Sequence, residues 1–138
     1  MRIGVPVSEI MTKHLITLEV TDNLNEAKAI FEKHTLRHIP IVSEKAIVGM
    51  LSYSDLLKVS YADVSDDDHN IETYLYDWFT IQQVMTKSLF VVSPSTTIKE
   101  VAELLSKKEF HALPVVEDGE LVGIVTTTDL ISYLVSQM

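Results

Sequence analysis

The chain has 138 residues, 46% of them apolar, a formal charge of −9 and no cysteine. That length suits one ordinary globular domain, and the lack of cysteine removes disulfides, thiol nucleophiles and cysteine-ligated metal together, in keeping with a reducing compartment. The acidic balance argues against a broad nucleic-acid surface, which draws on clustered Lys and Arg. No apolar run approaches the roughly 18 residues of a membrane helix and the N-terminus lacks the build of a signal peptide, so the expectation is a cytoplasmic protein without a membrane span.

Taken along the chain, an extended segment at Leu15–Leu18 leads to Asn23 and Glu26, spaced as a capping box, and Leu24, Ala27, Ile30 and Phe31 then fall on one helical face. A short apolar strand follows, Ile39-Pro40-Ile41-Val42, whose proline predicts weak pairing or an edge position. Glu44-Lys45 is a weak turn signal before a second strand, Ile47 to Leu51, and a helix starts near Asp55. Next comes an acidic stretch, Ser65 to Asn70, expected as a solvated loop. The aromatic run Ile71 to Phe79 reads as a helix whose Ile71, Leu75, Trp78 and Phe79 pack the connector onto the core; the competing reading makes it a surface for a second subunit.

The same elements then return. Leu89–Val92 is extended, Thr97-x-x-Glu100 is a capping box in its preferred form, and Ile98, Val101, Leu104 and Leu105 make the apolar stripe. Leu113-Pro114-Val115-Val116, the strong hairpin turn Asp118-Gly119, a strand from Leu121 to Val125 and a helix near Asp129 complete the set. Met11-Thr12-Lys13 recurs as Met85-Thr86-Lys87, a displacement of 74 residues from position 11 to position 85. The same displacement maps Pro40 onto Pro114, Gly49 onto Gly123 and Asp55 onto Asp129. The chain is therefore a tandem repeat of an α+β unit, strand-helix-strand-strand-helix, with about fifty residues per copy. Units that small bury too little surface to stand alone, so the copies should share a core. The expected division is 1–60, a connector over 61–80, and 81–138.

Catalysis finds little support. There is no Gly-x-Ser-x-Gly elbow and no glycine-rich phosphate loop, and with four glycines none can be assembled. His34 and His38 would lie one helical turn apart if the helix persisted, but nothing in sequence completes a metal set. The Asp66–His69 run lacks the glycine and terminal glutamate of a calcium loop.

Met11-Thr12 and Met85-Thr86, the Ile-Pro-Ile-Val and Leu-Pro-Val-Val strands, and Gly49-Met50-Leu51-Ser52-Tyr53-Ser54-Asp55 with Gly123-Ile124-Val125-Thr126-Thr127-Thr128-Asp129 together resemble a cystathionine-beta-synthase (CBS) domain pair, or Bateman module, from Val7 to Leu134 apart from the connector. The resemblance implies two repeats packed about a pseudo-twofold axis. It also implies clefts between them that hold adenosine-containing ligands such as AMP, ADP or ATP, a regulatory rather than enzymatic role toward a separate partner protein, and a homodimer. The competing expectation is a structural dimerisation or scaffolding module that binds no nucleotide.

In Ser52-x-x-Asp55 and Thr126-x-x-Asp129 a hydroxyl and a carboxylate sit three residues apart at a strand-to-helix junction. Spacing alone fits a helix cap at least as well as a ligand contact. Under the resemblance, Asp55 and Asp129 accept bonds from ribose hydroxyls, while Ser52 and Thr126, with free N–H groups at the helix start, favour phosphate. It also nominates Arg37, His38 and His111 for phosphate, with Lys13 and Lys87 weaker candidates that read equally as solvated charges. Because Ala112 stands where the first copy has His38, the two sites should differ. Histidine participation would make affinity fall as pH rises through the imidazole range. For the flat faces of adenine, Ile39, Pro40, Leu113 and Pro114, with the backbone near Thr17 and Val91, form the candidate wall.

Overall fold

The computed structural model describes residues 3–61, 76–108 and 110–138. The acidic stretch at 65–70 and the first part of the aromatic run, 71–75, lie outside them.

Among the described residues, five strands and five α-helices can be bounded, in the order read from the sequence. They are β1 (Leu18–Glu19), α1 (Leu24–Lys33), β2 (His38–Ser43), β3 (Ala46–Ser52), α2 (Tyr53–Tyr61), α3 (Ile81–Val84), α4 (Ile98–Lys107), β4 (Ala112–Glu117), β5 (Glu120–Thr126) and α5 (Thr127–Ser136). Two short elements were not foreseen: a 3-10 turn over Val7–Glu9, and α3, held by a Thr80–Gln83 capping box. In α4 the Thr97 hydroxyl accepts from the Glu100 N–H at 3.1 Å and the Glu100 carboxylate accepts from the Thr97 N–H at 3.0 Å. The first copy forms half of this box. Asn23 accepts from the Glu26 N–H at 2.9 Å, but the Glu26 carboxylate takes a bond from the Asn23 side chain instead of its backbone.

The chain gathers into two compact units, one comprising Ile16–Glu44 and Val48–Ser88, the other Met1–Leu15, Lys45–Ile47 and Leu89–Met138. The first carries a sheet in the order β1-β2-β3, with β1 parallel to β2 and Leu18 opposite Ile41. The second carries the antiparallel pair β4-β5 and a parallel bridge of Val92 to Val115, the same pairing displaced by one copy.

The composition of each core shows why the boundary falls inside each copy. Leu18, Ala27, Phe31, Ile39, Ile41 and Leu51 fill the first, and their counterparts Val92, Val101, Leu105, Leu113, Val115 and Val125 fill the second. The remaining place is taken crosswise in sequence. Ile81, which precedes the second Met-Thr, is buried in the first core, and its counterpart Val7 is buried in the second. The backbone repeats the pattern, with Thr86 exchanging two bonds with Met50 in one unit (2.9 and 3.0 Å) and Thr12 doing so with Ile124 in the other (2.8 and 3.0 Å). Gly49 and Gly123 permit that approach. A Cβ on Gly123 would stand 2.6 Å from Met11 Sδ and 3.2 Å from the Thr12 carbonyl, and one on Gly49 would meet the Met85 side chain.

The prolines do not mark an edge. Pro114 lies opposite Ile124 within β4-β5, yet the Ile124 N–H and C=O are both spent on Thr12, so no bond is due between the two strands at this rung. The missing proline N–H therefore costs nothing there, and its carbonyl still accepts from Val92 at 3.0 Å. Nor does Trp78 pack the connector onto the core: it is 76% exposed, and Tyr76, at 3%, enters the core in its place.

Candidate functional site

Each unit presents one strand-to-helix junction of the same build. In the first, the Ser52 hydroxyl accepts from the Asp55 N–H at 3.0 Å while Asp55 Oδ2 accepts from the Ser52 N–H at 3.4 Å. In the second, Thr126 Oγ1 accepts from the Asp129 N–H at 3.2 Å and Asp129 Oδ2 accepts from the Thr126 N–H at 2.9 Å. The junction forms because β3 and β5 end in a hydroxyl residue that satisfies an orphan N–H of the following helix. Both residue pairs are half-buried.

Capping and ligand contact, alternatives at the level of sequence, turn out to be compatible. Each carboxylate spends Oδ2 on the cap, while Oδ1 makes no hydrogen bond among the described residues. Each hydroxyl accepts in the cap and keeps its proton to donate. The junction thus offers an anionic acceptor beside a hydroxyl donor, a combination suited to a sugar diol carrying a phosphate.

Two of the phosphate candidates are tied to it through the backbone. The Arg37 carbonyl accepts from the Tyr53 N–H at 2.9 Å, and the His111 carbonyl accepts from the Thr127 N–H at 3.0 Å, so Arg37 and His111 are tied to the first turn of α2 and α5. Both residues are exposed. His38 opens β2 and is half-buried. These bonds also engage N–H groups that the sequence reading had left for phosphate: those of Tyr53 and Thr127, with Asp55 and Asp129 held by the cap hydroxyls. Lys13 and Lys87 are exposed. His34 leaves α1 in an extended conformation (φ −119°, ψ 151°), so it and His38 do not share a helical face.

The adenine-wall candidates divide. Ile39 and Leu113 are 0% and 1% exposed and belong to the two cores, and Pro40 and Pro114 are buried with them, so none turns a face outward. Thr17 and Val91 are exposed. What sequence reasoning missed is an aromatic pair: Phe90 and Phe110 lie with ring centroids 5.2 Å apart and planes at 46°, and Lys108 Nζ stands 5.3 Å from the Phe90 centroid. The signal was available, since the matched positions in the first copy are Ile16 and Leu36.

Known proteins share this architecture. The CBS domain family model matches twice, over residues 7–62 and 81–136. Among solved structures, a protein assigned to acetoin utilization, AcuB of Vibrio cholerae, is 31% identical with a TM-score of 0.81, the match covering 98% of this chain and 93% of that one. CBSX2 of Arabidopsis thaliana, solved in complex with AMP, is 26% identical with a TM-score of 0.79 over 97% and 98% of the two chains. The CBS domain pair of protein MJ0100, in complex with 5′-methylthioadenosine and S-adenosyl-L-methionine, is 27% identical with a TM-score of 0.78 over 97% and 98%. Some curated relatives are much longer: the chain spans 23% of the homoserine O-acetyltransferase of Methanohalobium evestigatum, to which it is 29% identical. With both repeats matched and the element order reproduced in each, the chain belongs to the CBS domain family and is a tandem CBS pair.

Proposed function

We propose that this chain is a regulatory sensor of adenosine-containing ligands, AMP, ADP, ATP or a close relative, and that ligand binding alters its action on a separate partner protein. The observation that carries the reading is the doubled junction: at both Asp55 and Asp129 one carboxylate oxygen is left over from the cap, next to a hydroxyl with a proton to give. Relatives of matching length hold AMP in one case and 5′-methylthioadenosine with S-adenosyl-L-methionine in another. The ligand classes share an adenosine moiety, and a ribose diol is what the free Asp oxygen suits. Ser52 and Thr126, with Arg37, His38 and His111, would meet the phosphate. A non-catalytic role in the cytoplasm, with no cofactor required, completes the reading. The ligand acts on a partner only through its differential affinity for two arrangements of the module.

The test is a thermal melt with AMP, ADP, ATP and S-adenosylmethionine. A ligand at about a hundred times its Kd stabilises the folded state by about 2.7 kcal/mol, which reads as a rise of several degrees. No shift with any of the four at millimolar concentration would contradict the proposal.

A scaffolding reading is favoured by one observation. Among the described residues α5 buries none, and Ile131, Leu134 and Val135, spaced on one helical face, are 62%, 46% and 65% exposed. We take this face as the contact of a homodimer, which is compatible with ligand sensing and does not require it.

A further inference from the structure

We propose that Trp78 and Phe79, with the groove that Phe79 lines, form the docking surface for a basic segment of the partner protein, whose arginine or lysine side chain enters beside Asp22 and Asp77. The inference rests on the partner half of the proposed function and is independent of the ligand half.

The surface is built where two helices start. Asn23 and Thr80, the N-caps of α1 and α3, are joined by an antiparallel bridge. The segments that meet there line a groove of about 460 Å³, with Val20, Asp22, Tyr76, Asp77, Phe79 and Gln82 among its walls. Tyr76 ties its segment to the core, and the Asn25 side chain donates to Asp77 Oδ1 at 2.8 Å, so the groove is anchored from both sides. Phe79 is 37% exposed, and Trp78, between Asp77 and Phe79 in the chain, is 76% exposed.

Charge selects the occupant. Among the described residues neither Asp22 nor Asp77 forms an ion pair; Asp22 Oδ2 accepts from the Glu19 N–H at 2.8 Å. Loss of hydration, and after it the Asp22 carboxylate, push the Glu26 carboxyl above its ordinary value, so these two acids crowd one corner. Lys28 is already engaged, with Nζ 3.9 Å from Glu32 Oε1 and 5.8 Å from the Tyr76 centroid. A second copy carries the same charge of −9 and is repelled, as are nucleic acid and an anionic lipid surface. A cationic side chain is drawn both by the carboxylates and by the aromatic faces, and tryptophan and arginine are prominent among the side chains that dominate protein interfaces.

The fold does not demand these residues. The displacement of 74 places Thr96, Ile3, Gly4 and Val5 in the second copy where the first has Asp22, Asp77, Trp78 and Phe79, so the acidic aromatic corner belongs to one copy alone.

Trp78 is the chain's single tryptophan, so its fluorescence reads the surface directly. The probe is a hexapeptide of alternating arginine and leucine, blocked at both ends and titrated into the whole chain. The expected result is a saturable shift of Trp78 emission. Asp22→Asn with Asp77→Asn, which keeps acceptor oxygens for the Glu19 and Asn25 bonds, should weaken binding about fivefold, and Phe79→Val, the residue of the matched position, should weaken it similarly. Glu103→Gln with Glu117→Gln removes two exposed charges from the other unit and should leave affinity within twofold. No saturable shift at millimolar peptide, or equal weakening by the two charge-removing pairs, would overturn the inference; a rise in melting temperature with AMP would then leave the ligand reading standing. Should Phe79→Val fail to melt cooperatively, the comparison of the two charge-removing pairs decides between the same outcomes.

Discussion

At the scale of single residues, the two copies solve one geometric problem with different amounts of strain. Both hairpins turn through two left-handed residues, Asp118 and Gly119 at φ 52° and 80°, and Glu44 and Lys45 at φ 49° and 75°. Glycine accepts that conformation freely, whereas an L-residue with a Cβ is disfavoured by about 1–2 kcal/mol. Lys45→Gly should therefore stabilise the protein, by about 0.5–1 kcal/mol once the added chain entropy of glycine is deducted. Urea denaturation would show a higher midpoint with unchanged slope; a lower midpoint would mean that the lysine side chain holds the turn in a way its backbone angle does not reveal. Asp-Gly was legible in the sequence because its turn chemistry is intrinsic. Glu-Lys was only weakly so, because the flanking strands impose its conformation.

At the scale of elements, the informative feature is the crosswise placement of the segments before each Met-Thr. Val7 is fully buried in the unit that holds the second copy, and Ile81 in the unit that holds the first. Val7→Ala should cost about 1–3 kcal/mol, and the loss should appear far along the chain. Hydrogen exchange would show reduced protection in β4 and β5 and little change in β2 and β3, whereas loss confined to β2 and β3 would contradict the observed core. The helices, strands and hairpins could be read from periodicity, caps and turn residues, because those signals are local. The exchange could not, since a repeat displaced by 74 residues shows which positions are equivalent and says nothing about which copy each one packs with. The prolines misled for a similar reason: a missing N–H matters only where a bond was due, and pairing to Thr12 decides that.

At the scale of the whole molecule, the two strand-to-helix junctions were legible where they depend on residue type and spacing, as with the cap bonds that join Ser52 to Asp55 and Thr126 to Asp129. Burial was not legible. Ile39, Pro40, Leu113 and Pro114 look like a wall in sequence and lie in the cores, while Phe90 and Phe110 stand out in sequence against Ile16 and Leu36 but show their contact only once two distant segments meet. The apolar face of α5 carries its own prediction. If Ile131 and Val135 seat a second copy, Ile131→Glu with Val135→Glu should convert a dimer to a monomer in sedimentation velocity without lowering the melting temperature of the monomer; a species of unchanged mass would place the contact elsewhere.

On the reading we propose, Asp55 and Asp129 each contact a ribose with the oxygen left over from the cap. Isothermal titration of AMP into the unmodified protein and into an Asp55→Asn, Asp129→Asn variant tests it most directly, because asparagine keeps an oxygen for the cap and removes the charge. Binding should weaken at least tenfold in the variant, as loss of a charge-assisted bond of about 1.5–3 kcal/mol requires, with the melting temperature nearly unchanged. Equal affinity in both proteins would show that the carboxylates only cap their helices.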